Sequence, residues 1–307
     1  MVKTVSIIGI GAVGSIYALR LTELLGKEQV RVIVDPPRMA RYHREGLFLN
    51  GEAVNFNLVT PDQPVQPADL ILLATKNHQL HEAAQMIANH VGEHTAILSL
   101  LNGIDSETYL EEHYGQQRML YGFTTALDST REGNRINFTN EGIIYFGEKD
   151  NSITSRLQAI EAVFTAAKIQ NRIPDDIHRE LWAKFMVNVS INTISAITRA
   201  TYGQCAHIPA MKQMIISTQR EVIALAKAQG IRGLDESYID RYQKIFASLE
   251  PSGKTSMLQD RESGRLTENP WFCKRASTLG KELGVSTPLC DMLGNLLEAI
   301  EVIQQVQ

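Results

Sequence analysis

The stretch KTVSIIGIGAVGSIYALRLTELLG, residues 3–26, decides the fold. Lys3 to Ile8 is a short run rich in β-branched residues, the pattern of a buried strand. It leads into Gly9-Ile10-Gly11-Ala12-Val13-Gly14, and a helical pattern then continues to about Leu25, where Gly26 ends it. Gln29 to Val34 is a second strand, and Asp35 stands at its end. A G-x-G-x-x-G between strand and helix, followed by an acid about 20 residues on, is a dinucleotide-binding arrangement. Each glycine has a mechanical reason. Gly9 permits a tight turn, Gly11 lets a pyrophosphate approach the backbone, and Gly14 lets the helix lie close to the strand. The helix N-terminus then faces the phosphate charge. The hexapeptide alone is weak evidence; with strand, helix and acid in register it is strong. Gly9, Gly11, Ala12, Val13 and Gly14 are therefore assigned to the cofactor.

Asp35 bears on which cofactor. A carboxylate at that place accepts both ribose hydroxyls of an adenosine and repels a 2′-phosphate, which favours NAD over NADP. Arg38 and Arg41 lie just beyond and could hold that phosphate instead. The plain alternative is that all three are solvated loop charges.

Further strands are expected at Asp69 to Thr75, Thr95 to Leu100 and Met119 to Thr125, with helices at Gln79 to His90 and near Asp105 to Tyr114. Arg135 to Phe146 alternates in an antiparallel manner. Strands alternating with helices argue for a parallel, doubly wound sheet, which binds cofactors outside its C-terminal strand ends. Lys76, after one strand, can reach a ribose or phosphate. Asn102, after the next, can reach the nicotinamide side or the substrate. Each could equally be a turn residue.

The chain has 307 residues, long enough for one large or two medium domains, and is 44% apolar and 21% charged, as in ordinary globular proteins. A net charge of −4 gives no hint of nucleic-acid binding. No apolar run suggests a membrane span, and the opening run is too short for a signal-peptide core. Three widely spaced cysteines, Cys205, Cys273 and Cys290, suggest free thiols in a reducing cytoplasm. His78 and His81 lack a third partner, so no metal site is expected.

After Ile173-Pro174 the pattern is helical nearly to the end, dividing the chain into domains 1–173 and 174–307. Helices are expected at about 177–200, 208–229, 235–248, 270–283 and 287–305, with a short one near 256–262. Within LWAKFMVNVSIN, residues 181–192, Lys184, Asn188 and Asn192 stand four apart among apolar neighbours. At about 100° per residue they drift about 40° per step and share one stripe. A narrow polar outer face would account for them. Apolar flanks argue instead for a helix buried nearly all round, where a lysine is costly unless paired or facing a wet cavity. Such a lysine can release a proton near neutral pH.

The sequence resembles the ketopantoate reductase (2-dehydropantoate 2-reductase) family over nearly its whole length. The resemblance rests on GIGAVG at 9–14, TKNHQL at 75–80, LLNGI at 100–104, LWAKFMVNVSIN at 181–192 and SMLQDRESGRLTE at 256–268. It implies an α/β protein with an N-terminal Rossmann domain, a C-terminal helical domain and an active site in the cleft between them. It implies reduction of 2-dehydropantoate to (R)-pantoate, usually with NADPH. Lys184 would be the general acid and Glu268 would orient substrate and lysine. Ser256 would bind the substrate carboxylate, and Asn188 and Asn192 its other polar groups. Asn102 would lie where cofactor meets substrate, and Gly9, Gly11, Gly14 and Lys76 would serve the cofactor.

The chain departs from the family pattern in carrying Asp35 where many members have arginine. It also has Tyr202 near a common asparagine position and Asn269-Pro270 after the Thr-Glu pair. These departures keep open an NAD-dependent D-2-hydroxyacid dehydrogenase such as D-mandelate dehydrogenase. A non-catalytic dinucleotide sensor is the remote option, since it need not keep Lys184 and Glu268 together. The partners expected are a small-molecule 2-oxo acid and, as an open option, a second copy in a homodimer, with neither nucleic acid nor membrane.

Overall fold

The computed structural model describes residues 1–306. The chain forms two compact units, Met1–Ile177 and the segment from His178 onward. The first contains, in order, β1 (Val5–Ile8), α1 (Ala12–Leu25), β2 (Val30–Ile33), α2 (Pro36–Glu45), β3 (Leu47–Leu49), β4 (Glu52–Val54) and β5 (Asn57–Val59). It continues with β6 (Leu70–Leu73), α3 (Leu80–Met86), β7 (Ala96–Ser99), α4 (Ser106–Tyr114), β8 (Met119–Glu132), β9 (Arg135–Gly147), α5 (Ser155–Ala166) and β10 (Asn171–Arg172).

One sheet runs β4-β3-β9-β8-β7-β6-β1-β2-β5, with β10 beside β9. From β5 to β8 all neighbours are parallel. Leaving out β3 and β4, those six strands stand in the order third, second, first, fourth, fifth, sixth. This is the Rossmann order, whose crevice lies where the order reverses, beside β1 and β6.

Alternation along each strand feeds two cores. Val5 and Ile7 pack with Ile16, Tyr17 and Leu21 of α1 and Ile160 and Phe164 of α5. Ile8, Ile71 and Leu73 pack with Leu80 and Ala83 of α3 and Leu110 of α4. Strands buried on both faces read as near-continuous apolar runs, hence LILL, and VSII with its one polar residue, Ser6, 2.8 Å from His90 Nδ1.

Three features differ from the expectations. β8 does not stop near Thr125 but runs to Glu132, antiparallel to β9, with a register shift at Asp128/Ser129. β3 pairs with the far end of β9, Phe48 opposite Arg135 and Leu49 opposite Ile136. Residues 36–45 form helix α2 rather than a charged loop. Asp35 caps it and proline fills its first position, where a missing N–H costs nothing.

The second unit is all helical: α6 (Ile177–Val187), α7 (Thr193–Thr198), α8 (Tyr202–His207), α9 (Pro209–Ala228), α10 (Glu236–Ser248), α11 (Ser256–Glu262), α12 (Cys273–Leu283) and α13 (Pro288–Val306). The single helix expected from 177 to 200 is interrupted. Asn188–Asn192 is a π-helical turn between α6 and α7, and Arg199 ends the rod in a left-handed conformation, φ 61°. Helix α8 was not foreseen; Thr201 and Gln204 cap it reciprocally. The helix expected from 270 is a 3-10 turn, Asn269–Trp271, followed by α12. The rod is buried on nearly every side, including Leu181, Trp182, Phe185, Met186, Val189, Ile191 and Ile194. It is packed by α9, α11, α12 and α13. Among the described residues no helix is long and apolar enough to cross a membrane.

Candidate active site

The first unit carries a glycine-lined cradle between β1 and α1. Gly9 has φ 93°, and a Cβ there would lie 2.6 Å from the Ala74 carbonyl group and Thr75 nitrogen. At Gly14 a Cβ would lie 2.0 Å from the Gly9 carbonyl oxygen and 3.1 Å from Ala74 Cβ. Those two glycines are demanded by the fold itself. Gly11 differs: a Cβ there meets nothing within 4 Å. Its face is open at the N-terminus of α1, where Ala12 and Val13 begin the first turn. A pyrophosphate fits such a place because backbone N–H groups and the helix dipole both favour negative charge.

Asp35 Oδ1 accepts from the Arg38 backbone N–H at 2.6 Å, and Oδ2 pairs with Arg38 Nε at 3.4 Å. A carboxylate offers about four lone-pair positions, so capping does not exhaust it. Arg131, from β8, was not singled out by sequence. It donates to the Ile10 carbonyl of the glycine loop, and to Tyr42 Oη at 3.0 Å and the Gly133 carbonyl at 2.9 Å. It ties the hairpin to the loop.

Lys76 is half-buried just ahead of the 3-10 turn Asn77–Gln79. Asn102 follows β7 and precedes Gly103, whose φ is 97°. Asn77 Nδ2 donates to the Asn102 carbonyl at 2.8 Å, so the two loops after β6 and β7 are joined. Below the second loop, Ser99 Oγ lies 2.8 Å from Ser106 Oγ, and Ser106 Oγ donates to Glu107 Oε2 at 3.0 Å. The Leu101 N–H donates to Ser99 Oγ at 3.3 Å. Burial raises the Glu107 carboxyl to about 7.

The second unit holds a polar set, Lys184, Asn188, Asn192 and Glu268. Burial in the rod lowers the Lys184 ammonium to about 8, while the Glu268 charge pulls it back up. Asn188 and Asn192 are buried, and Asn192 Nδ2 donates to Asn188 Oδ1 at 3.2 Å. The π turn explains their alignment. In an α-helix four residues overshoot a full turn by about 40°. An i→i+5 turn is wider, so four residues there fall short, and the two errors oppose each other. Asn188 Nδ2 is buried without a hydrogen-bond partner. Such an amide is costly, by about 1–3 kcal/mol, until something accepts from it.

Glu268 is buried, and its backbone is pinned on both sides. The Thr267 N–H donates to Glu301 Oε1 at 2.9 Å, and Asn269 Nδ2 donates to the Gly294 carbonyl at 2.8 Å. Ser256 is exposed at the first position of α11. Thr255 before it caps the helix and donates to Ser195 Oγ of α7 at 3.2 Å. Tyr202 sits on the turn ahead of α11, its N–H donating to the Gly253 carbonyl at 2.9 Å. Lys184, Glu268, Asn188, Asn192 and Ser256 thus all belong to one unit. Gly9, Gly11, Gly14, Asp35, Lys76 and Asn102 belong to the other.

Residues 5–151 match the family description Ketopantoate reductase PanE/ApbA, and residues 176–301 match its C-terminal counterpart. The chain belongs to the ketopantoate reductase family. That makes it an oxidoreductase. The 2-dehydropantoate 2-reductase of Streptococcus pyogenes is 26% identical over 266 residues, 85% of this chain and 86% of that one. The enzyme of that name from Archaeoglobus fulgidus is 25% identical over 304 residues, 98% of both chains. Among solved structures, D-mandelate dehydrogenase with NADH and anilino(oxo)acetate has a TM-score of 0.89 at 25% identity, covering 98% of this chain and 99% of that one. The 2-dehydropantoate 2-reductase of Geobacter metallireducens has a TM-score of 0.84 at 27% identity, covering 97% and 99%. The match thus covers 86% or more of the length of each of these relatives.

Proposed function

We propose that the chain reduces 2-dehydropantoate to (R)-pantoate with a nicotinamide dinucleotide, NADH in preference to NADPH. The observation carrying this is Lys184: a half-buried amine on an apolar rod, brought down to about 8 by desolvation and drawn back up by the Glu268 charge. A ketone that gains hydride becomes an alkoxide unless a proton meets it, and a lysine poised near the working pH supplies one. When bound, the reduced dinucleotide supplies the hydride. The open face of Gly11 and the N-terminus of α1 would hold its pyrophosphate, Asp35 its adenosine ribose, and Lys76 and Asn102 its nicotinamide end.

The substrate's reacting centre falls to the second unit. Lys184 gives its proton to the ketone oxygen, and Glu268 favours its recharging from solvent. The unspent N–H of Asn188 finds an acceptor in a substrate oxygen, with Asn192 fixing that amide's orientation. Ser256 offers a neutral donor to the carboxylate. This reading makes the first unit the dinucleotide-binding domain and the helical unit the catalytic one. The buried free thiols Cys205, Cys273 and Cys290 fit a reducing cytoplasm.

One set of observations favours a second reading, an NAD-dependent D-2-hydroxyacid dehydrogenase. Asp35 repels a 2′-phosphate, Tyr202 stands beside the turn leading to Ser256, and the D-mandelate dehydrogenase fold is closely similar. The test is reduction of ketopantoate, phenylglyoxylate and branched 2-oxo acids with NADH and with NADPH, followed by nicotinamide absorbance. Preference for phenylglyoxylate selects the second reading; no turnover with any acid leaves only a dinucleotide-holding protein. Lys184→Ala is expected to cut kcat by about 10²–10⁴-fold with dinucleotide affinity intact. Equal loss of both would make the lysine structural.

A further inference from the structure

The π turn at Asn188–Asn192 needs support, because widening the helix displaces backbone carbonyls from their usual i→i−4 donors. Side chains supply it. Ser190 Oγ donates to the Met186 carbonyl at 2.8 Å and to the Val187 carbonyl at 3.2 Å. Cys273, the first residue of α12, lies against the turn from another helix. Its Sγ donates to the Val189 carbonyl at 3.3 Å and contacts Thr193 Oγ1 at 3.4 Å. Both residues are fully buried, and neither belongs to the polar set of Lys184, Asn188, Asn192 and Glu268.

The carbonyls they cap are those that a regular helix would pair with the N–H groups of Ser190, Ile191 and Thr193. Removing a side-chain donor leaves these carbonyls to backbone N–H groups alone, and the regular i→i−4 pattern then competes better with the π turn. A slip of one residue turns the side chains beyond it by about 100° relative to Lys184. Asn192, on the far side of the turn, would leave the stripe and drop its bond to Asn188.

We propose that Ser190 and Cys273 are positioning residues, which hold the π turn open and so keep Asn188 and Asn192 in line with Lys184. The inference rests on the reading of these asparagines as substrate contacts. The cysteine acts here as a hydrogen-bond donor in a fixed place.

The test compares Cys273→Ala, Cys273→Ser and Ser190→Ala with the unaltered protein. For each, kcat and KM for the 2-oxo acid are measured together with dinucleotide affinity by fluorescence. Side-chain amide NMR spectra of asparagine-labelled protein are recorded in parallel. Cys273→Ala and Ser190→Ala are each expected to lower kcat on the order of tenfold, the factor that one hydrogen bond's worth of misplacement produces. Dinucleotide affinity should hold. Cys273→Ser keeps a donor and should recover most of the activity. The Asn188 and Asn192 amide signals should move in the alanine variants and stay in place in Cys273→Ser.

Unchanged amide signals in the alanine variants would overturn the proposal. So would Cys273→Ser proving no better than Cys273→Ala, or a fall in dinucleotide affinity matching the fall in kcat. If the unaltered protein turns over no 2-oxo acid, the functional reading fails, and the amide signals alone then decide whether Ser190 and Cys273 set the register. Should Cys273→Ala not fold, Ser190→Ala and Cys273→Ser carry the comparison.

Discussion

Replacing Glu268 with glutamine removes a negative charge that acts on Lys184 and nearly preserves the shape of the side chain. Reduction needs Lys184 protonated, so in the unaltered protein kcat/KM is full below about 8 and falls as pH rises through it. The Glu268 charge raises the lysine; burial lowers it more. Loss of that charge should therefore carry the descending limb from about 8 toward acid. A limb displaced by about one pH unit would drop the protonated share at pH 8 from about one half to about a tenth. The assay is the pH dependence of 2-oxo acid reduction under limiting substrate, read from nicotinamide absorbance. Dinucleotide affinity at each pH serves as control, because Glu268 lies in the other unit from the cradle. Glu268→Gln should recover activity at low pH and show a limb displaced toward acid. A limb that stays near 8 would refute the coupling. A uniform loss at every pH would make Glu268 a substrate contact rather than an electrostatic partner.

The glycine loop offers a paired comparison: Gly14→Ala should lower the thermal midpoint by several degrees, since its Cβ would lie 2.0 Å from the Gly9 oxygen. Gly11→Ala should leave the midpoint in place and weaken dinucleotide binding, both read by melting and fluorescence titration. Asp35→Asn keeps a capping oxygen for Arg38, so stability should hold while the ratio of NADH to NADPH affinity shifts toward NADPH. An unchanged ratio would free Asp35 from any role in cofactor choice. Glu107 is held protonated by burial, with a folded value of about 7 against an ordinary 4.5. The folded state therefore binds the extra proton, and stability should fall as pH rises from about 4.5 to about 7, by at most about 3 kcal/mol. Glu107→Gln should flatten that slope in denaturant titrations.

The Rossmann half was legible where physics leaves a local mark. Gly9 and Gly14 each answer a different steric demand, Gly11 leaves an open face, and the runs VSII and LILL are short, buried and mostly β-branched or leucine. Helix α2 was missed because only Tyr42 of its ten residues is buried; its cap and its proline were the readable signs. Strands β3 and β4 are three residues each and owe their existence to β9, some ninety residues away in sequence. In the helical half, the stripe Lys184, Asn188 and Asn192 stood out against its apolar flanks. The π turn that aligns it did not, because its supports, Ser190 and Cys273, carry no motif. Asn77 and Arg131 escaped for a similar reason: each bonds a backbone carbonyl far along the chain.

The pairing of β3 with β9 also constrains how the protein is born. Leu47 and Leu49 are buried, yet of their strand's two hydrogen-bonding neighbours only β4 is local, and the other begins at Arg135. On a ribosome, at about 5–20 residues per second, the nascent glycine loop waits several seconds for Arg131 and the hairpin that braces it. During that interval an unfinished sheet edge is open to strangers, so chaperone dependence should concentrate in the translation of the first half of the message.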